Sequence, residues 1–312
     1  MAAVWLSALV PAPTPAAPMS FGLSSVGLNY PFAAAIAQGF QQQARKAGVN
    51  AIVVDAQGSV QKQANDIDDL VAQRVNGIVL MPLDSVIAQS WVERIAAAGI
   101  AVVAVASQVG DPKSRPLADV YPKLVALVTQ DEVLAGREAG RLARRLLPSN
   151  RAANIAVIEG APGFAEVLQR AQGFRQGLDA AHIHYRIVAS QPGDWTAEKA
   201  DFACQNVLAA HPEIDLFFNE ADDMAVGCAR AVRAAGSHAK LIGIGGSRLA
   251  IVSIKAGRID GTVCYKPQDL GALAFNTLYD DVTGAKPLTA AFITYDTPGV
   301  SRADIERCTA QW

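Results

Sequence analysis

Long hydrophobic runs are scarce in this 312-residue sequence: after the first 20 residues, no apolar stretch reaches the roughly 18 residues needed to span a bilayer. Charge of one sign is scarce too. Against 29 Asp and Glu stand 27 Lys and Arg, a net charge of -2, and no stretch carries the basic excess of a nucleic-acid binder. Aromatic residues make up only 6% and charged residues 18%, yet 51% is hydrophobic, too much for a disordered chain. That length and apolar content fit two domains with sizeable cores.

Catalytic patterns are missing as well. The sequence has no G-x-S-x-G, no H-E-x-x-H and no G-x-x-x-x-G-K-[ST], so the nucleophile-elbow, zincin and P-loop chemistries have no foothold. Its four histidines, His182, His184, His211 and His238, fall at helix ends and in polar turns, where a solvated imidazole is the expected state. Gly243-Ile-Gly-Gly246 follows a strand and opens a helix, but Arg248 and Leu249 break the dinucleotide fingerprint. We therefore expect no enzyme, no catalytic residue, no cofactor and no metal. Cys204, Cys228, Cys264 and Cys308 form no C-x-x-C; as an even set they permit one or two disulfides, with three possible full connectivities. Cys204 and Cys228 lie in apolar helical stretches where a buried free thiol packs as a small hydrophobe, and structural roles are expected for all four.

Residues 1–18 stand apart. The apolar stretch 2–10 and the Pro/Ala/Thr-rich tail behind it resemble a secretory signal peptide, although no Lys or Arg precedes Arg45; the alternative is a disordered Ala/Pro tail. From Met19 onward, short β-branched runs alternate with helical periodicity. Strands are expected near 21–25, 51–55, 77–81, 101–105, 124–129, 154–159, 185–189, 215–218, 241–244, 261–265 and 292–295, the last closing the chain. Helices lie between them, as over 32–48, where Phe32, Ile36, Phe40 and Ala44 share one face before Gly48. Near-continuous apolar strands are those buried on both faces of a parallel sheet. The fold class is therefore α/β, two doubly wound parallel-sheet lobes, with ligands expected beyond the carboxyl ends of the strands. Two aromatics sit at such ends, Phe32 after Pro31 and Trp195 in a Pro-Gly-Asp-Trp turn, and rings there suit the C–H faces of a sugar. Asp222-Asp223 opens a helix either as a cap and dipole partner or as a ligand contact.

Several motifs, taken in order, resemble the ribose-type periplasmic sugar-binding proteins. They are Leu28-Asn-Tyr-Pro-Phe32, Met81-Pro-Leu-Asp-Ser85, Gln191-Pro-Gly-Asp-Trp195, His211-Pro-Glu-Ile-Asp215, the run from Asn219 to Gly227, and Gly243-Ile-Gly-Gly246. The resemblance spans about residues 20–300. It implies a type I periplasmic binding protein, the solute-binding subunit of an ABC importer, monomeric, extracytoplasmic, and partnered by a permease and its ATPase. A sensory receptor using the same trap is the alternative, and DNA-binding relatives carry a helical domain absent here. The implied lobes are 19–127 plus 266–291 and 130–262 plus 294–312, hinged near 128–130, 262–265 and 292–294.

Carried over position by position, the ring-stacking residues fall on Phe32 and Trp195, but the family's sugar-gripping Asp-Arg pair falls on Ala106 and Ser107. Another ligand-holding Arg falls on Leu168, with Arg170 two residues on; the hinge Gln becomes Tyr265, and the Asp after a later strand becomes Gly245. Hydroxyls buried without partners cost about 1–3 kcal/mol each, so tight binding of an aldopentose in that pose is not expected. The solute is then either less hydroxylated, matched by Phe32, Phe164, Leu168, Trp195 and Tyr265, or a neutral sugar or polyol held through Asn29, Ser107, Gln108, Glu166, Asp222 and Gln268. Tyr30 completes the expected site.

Overall fold

The computed structural model describes residues 18–312, so the leader-like segment falls outside the described residues except for Pro18. The chain opens with β1 (Ser20–Ser25), α1 (Pro31–Ala47), β2 (Asn50–Asp55), α2 (Val60–Ala72), β3 (Gly77–Leu80), α3 (Ala88–Ala97), β4 (Ala101–Val105) and β5 (Ala126–Val128). It continues through α4 (Glu132–Ala143), β6 (Ala153–Glu159), α5 (Ala165–Ala180), β7 (Tyr185–Pro192), α6 (Ala197–Ala210), β8 (Leu216–Asn219), α7 (Asp222–Ala234), β9 (Lys240–Gly245), α8 (Arg248–Lys255) and β10 (Gly261–Cys264). It then runs through α9 (Pro267–Val282), β11 (Ala291–Ile293), β12 (Gly299–Ser301) and a single 3-10 turn, Ile305–Arg307.

These strands make two six-stranded sheets, β11-β5-β4-β3-β1-β2 and β12-β10-β9-β8-β6-β7, giving two α/β lobes. The chain crosses between the sheets three times, after Val128, after Cys264 and after Ile293. All pairings are parallel except that of β12 with β10. β12 departs from the expectation that a strand near 292–295 closes the chain. It is three residues long and buries only Val300, too little apolar sequence to register as a strand.

Central strands such as β3 and β8 are buried along their whole length, as the continuous apolar runs required, because helices cover both faces. Each sheet therefore has two apolar layers. Phe21, Phe40 and Phe275 fill one side of the first sheet and Ile67, Leu70 and Trp91 the other. In the second lobe, Phe174 and Phe218 stack with centroids 4.0 Å apart.

Three helix pairs, α4 with α5, α1 with α9 and α6 with α7, approach closely through glycine. A Cβ on Gly173 of α5 would lie 1.9 Å from the Val133 carbonyl of α4, and one on Gly39 of α1 would lie 1.9 Å from the Gln268 carbonyl of α9. The first contact presses the middle of α5 against the start of α4, beside the site described below. All four cysteines are paired. Cys204–Cys228 ties α6 to α7, and Cys264–Cys308 ties the end of β10 to the segment after the 3-10 turn. The helical positions of Cys204 and Cys228 hold, but the thiols are bonded to each other rather than free.

Candidate functional site

A cavity of about 110 Å³ lies between the carboxyl ends of the two sheets. The first lobe contributes Val26 from the end of β1, Tyr30, Pro31, Phe32 and Ala33 from the start of α1, and Met81 after β3. The second contributes Phe164, Glu166 and Arg170 at the start of α5, Trp195 after β7, Ala221 and Asp223 around the start of α7, and Ile244 and Gly245 from β9. Gln130 and Tyr265 line it from two crossings, and Trp312 closes it.

Trp195 is seated by its backbone. Asp194 and Trp195 adopt φ of 50° and 63°, an uncommon conformation for two successive non-glycine residues and one that persists only where surroundings enforce it. Lys199 Nζ holds the Asp194 carboxylate at 2.6 Å, and the Thr196 amide donates to the Gly193 carbonyl. Beneath the indole, position 160 must be glycine, because a Cβ there would lie 1.9 Å from the ring. The Gly160 amide donates to buried Glu220 at 2.8 Å, which fixes that floor. The Phe164 ring meets Trp195 edge-on at 5.7 Å.

Behind the rings lies a buried polar cluster. Arg170 Nε and Nη2 donate to the two oxygens of Glu132 at 2.6 and 3.0 Å, and its Nη1 donates to the Glu220 carbonyl. Three of its five N–H groups are thereby engaged. The guanidinium carbon lies 5.4 Å from the ring centroids of both Trp195 and Tyr265. The Tyr265 hydroxyl and the Gln130 amide also donate to Glu132. Burial, with Glu132 nearby, pushes the Glu166 carboxyl up to about 7 against the pull of Arg170, and burial raises Glu220 well above the usual carboxylate range. Three buried polar atoms on lining residues have no partner: Glu166 Oε2, Gln130 Oε1 and Trp195 Nε1. Such atoms can meet the hydroxyls of a guest.

Of the residues expected from sequence, the structure brings Tyr30, Phe32, Phe164, Glu166, Trp195 and Tyr265 to the cavity. The other six do not line it. Leu168 is 44% exposed on the outer face of α5, and Asn29 is exposed in the loop before α1. Gln268 turns to Gln38 and Gln311. Ser107 and Gln108 sit behind the wall and join the lobes, Ser107 Oγ donating to Glu166 Oε1 and Gln169 Nε2 donating to Gln108 Oε1.

Asp222 neither caps α7 nor reaches the cavity. Its buried carboxylate accepts from the Ser247 amide at 2.7 Å and from Thr262 Oγ1 at 2.6 Å, while Ala221 occupies the cap position. Its neighbour Asp223 lines the cavity instead. The Gly243-Ile-Gly-Gly246 run serves this carboxylate, since a Cβ on Gly243 would lie 2.5 Å from Asp222 Oδ1.

Trp312 was not expected, Arg170 was noted only as lying two residues beyond Leu168, and Asp223 was weighed only together with Asp222. A signal existed for Arg170, which lies four residues after Glu166 and so shares its face of α5, whereas Leu168 faces away. The arginine absent at position 168 is thus supplied one half-turn later, although Glu132 and the Glu220 carbonyl hold three of its five donors.

The periplasmic binding protein domain matches residues 21–286 of the chain. The ribose import binding protein RbsB of Bacillus subtilis is 31% identical over 267 residues, 86% of this chain and 83% of the relative. The D-allose-binding periplasmic protein of Escherichia coli is 30% identical over 257 residues, 81% of each chain. Among solved structures, the Caulobacter myo-inositol binding protein bound to myo-inositol superposes with a TM-score of 0.84 at 26% identity, covering 97% of this chain and 98% of that one. Motif order, two parallel-sheet lobes, a ring-lined cleft and these likenesses agree: the chain belongs to the ribose-type periplasmic sugar-binding protein family.

Proposed function

We propose that the protein captures a small neutral carbohydrate or polyol between its lobes and hands it, unaltered, to an ABC-type permease and ATPase outside the cytoplasmic membrane. The observation that carries this reading is a small cavity walled by Phe32, Phe164, Trp195 and Tyr265 in which Glu166 Oε2, Gln130 Oε1 and Trp195 Nε1 lack partners. Rings cover the C–H faces of a sugar while the free polar atoms meet its hydroxyls.

The mechanism is a population shift. A guest touches both lobes only when they are closed, so binding favours the closed form. The three crossings supply the hinge. The contacts seen across the cleft, Ser107 to Glu166, Gln169 to Gln108 and the Ser85 amide to the Gly163 carbonyl, are those that closure makes.

Calorimetric titration and thermal shift with D-ribose, D-allose, myo-inositol, glycerol and aromatic solutes test it. At about 100 times its Kd, a specific guest adds roughly 2.7 kcal/mol of stability. Trp195→Ala is expected to weaken the best neutral guest more than tenfold. Binding only of aromatic or charged solutes, or unchanged affinity in that variant, overturns the reading.

A further inference from the structure

The cavity has one wall that belongs to neither sheet. After the 3-10 turn, Cys308 is bonded to Cys264 at the end of β10, and the chain runs from there across the face between the lobes to Trp312. Gln311 reaches the first-lobe side: its Oε1 accepts from the amides of Gln268 and Asp269 at 2.9 and 3.2 Å, and its carbonyl accepts from Gln268 Nε2 at 2.8 Å. Those amides open α9, a helix whose own cap residue offers no side-chain bond, so Gln311 does the capping from outside. On the second-lobe side the Trp312 carbonyl accepts from the Arg248 amide at 2.8 Å. The indole then fills the gap between the lobes, edge-on to Phe32 at 5.7 Å, with Nε1 donating to the Gly245 carbonyl at 3.3 Å. Position 245 admits it only as glycine, since φ is 147° and a Cβ would lie 2.8 Å from the indole.

We infer that Trp312 contacts the bound solute and sets how many hydroxyls the solute can carry at that end of the cavity. This rests on the proposed carbohydrate reading and adds a selectivity element to it. The physical ground is the difference between the two indoles. Trp195 Nε1 is buried and unpartnered, free for a hydroxyl, whereas Trp312 Nε1 is spent on Gly245. Trp312 therefore shows the guest only ring carbon. A hydroxyl pressed against it loses water and gains nothing, while a C–H or methyl edge loses nothing. The disulfide, the Gln311 bonds to α9 and the Arg248 contact hold the ring at a fixed depth, so it acts as a rigid stop rather than a mobile side chain.

The experiment uses the disulfide-intact full chain labelled with 5-fluorotryptophan, the Trp195 and Trp312 resonances being assigned with the Trp195→Phe and Trp312→Phe variants. The probes are D-ribose with 2-deoxy-D-ribose and L-mannose with L-rhamnose, and Kd is measured for each by calorimetry. Both resonances are expected to shift on saturation. The deoxy member of at least one pair is expected to bind tighter than its parent, and that ratio should fall at least fivefold in Trp312→Ala while Trp312→Phe keeps it. If Trp312→Ala does not fold, Trp312→Leu, which also lacks the flat ring, takes its place. A shift at Trp195 without one at Trp312 overturns the contact and leaves the carbohydrate reading standing. A loss of affinity in the variant that is equal for both members of each pair, or no deoxy preference in the parent protein, overturns the selectivity role. Silence at both resonances with every probe, and with D-allose, myo-inositol and glycerol as well, overturns the carbohydrate reading itself, and this inference with it.

Discussion

The two lobes build their halves of the cavity from different material. The first lobe presents Val26, Tyr30, Pro31, Phe32, Ala33 and Met81, a wall of shape without a charged group. The second presents Glu166, Arg170 and Asp223 among its rings, backed by buried Glu132 and Glu220. Both disulfides lie among the core residues of the second lobe. Burying that much charge is costly, and only mutual pairing in fixed geometry offsets it. The second lobe's half of the cavity is thus held in place by its own pairing, with no guest present. On the proposed reading, a guest's position is set by the charged half and its outline by the apolar half.

The sharpest way to break this contrast is Arg170→Ala. It leaves Glu132 buried with only the Tyr265 hydroxyl and the Gln130 amide, so a loss of about 3–5 kcal/mol of folding stability is expected. Urea unfolding measures it, and a loss below about 1 kcal/mol would mean that the cluster does not preorganise the lobe. Next in size is the Cys204–Cys228 bridge, which closes a sequence separation of 24 residues. Replacing both by Ser is expected to cost about 3 kcal/mol by loop entropy. Because the bridge lies on α6 and α7, away from the cavity, solute affinity at a temperature where the variant is folded should stay within about twofold. A large affinity change would show that the second lobe's frame and its site are one unit.

How much of this was legible beforehand follows the same division. The alternation of apolar runs and helical periods gave the α/β class and eleven of the twelve strands, since each depends on local pattern alone; the exception is β12, whose single buried residue leaves no pattern. That Phe32 and Trp195 line the cavity was legible because both follow strand ends where such sheets gather their ligands, and their joint occurrence there outweighed the loop packing open to either ring alone. The charged cluster was not. Glu132, Arg170, Glu220 and Tyr265 come from four separate stretches, and only the fold brings them together. Asp222 was ambiguous for a related reason: its partners, Ser247 and Thr262, lie 25 and 40 residues away. Trp312 lies on a wall formed by a disulfide whose connectivity no spacing reveals.

A smaller effect tests the apolar half. Phe32 is half-buried and touches Tyr265 and Trp312 with centroids 6.0 and 5.7 Å away. Phe32→Ala is expected to weaken the guest about tenfold, near 1.4 kcal/mol, which is the size of one aromatic contact. Phe32→Leu, which keeps an apolar shape, should recover part of it. If folding stability falls as far as with Arg170→Ala, the contrast between the lobes fails.

The smallest effect sits where the lobes meet. In the closed form, burial and neighbouring Glu132 lift the Glu166 carboxyl to about 7 from an ordinary 4.5, opposed by Arg170 and by the hydrogen bond from Ser107. Ser107 belongs to the first lobe, so opening removes that lowering bond, but it also admits water, and relief of burial, the largest cause of the shift, returns the carboxyl toward its ordinary range. The direction follows from linkage. A carboxyl whose value is higher in the closed form takes up a proton on closing, so closure becomes easier as pH falls from about 7 toward about 4.5, and the charged form opposes it above about 7. Burial also lifts Asp222, to about 6, and raises Glu220 well above the usual carboxylate range. Their partners Ser247, Thr262 and Gly160 are all in the second lobe, so those protons bear on folding and not on closure. Binding of a neutral guest should therefore tighten several-fold, at most about tenfold per pH unit, between pH 7.5 and pH 5.5. Glu166→Gln, permanently neutral, should flatten the profile at the tight end, while Asp222→Asn leaves the slope intact. A slope that survives Glu166→Gln would move the proton to a group inside the second lobe and dissolve the distinction between a lobe that is ready and a lobe that closes.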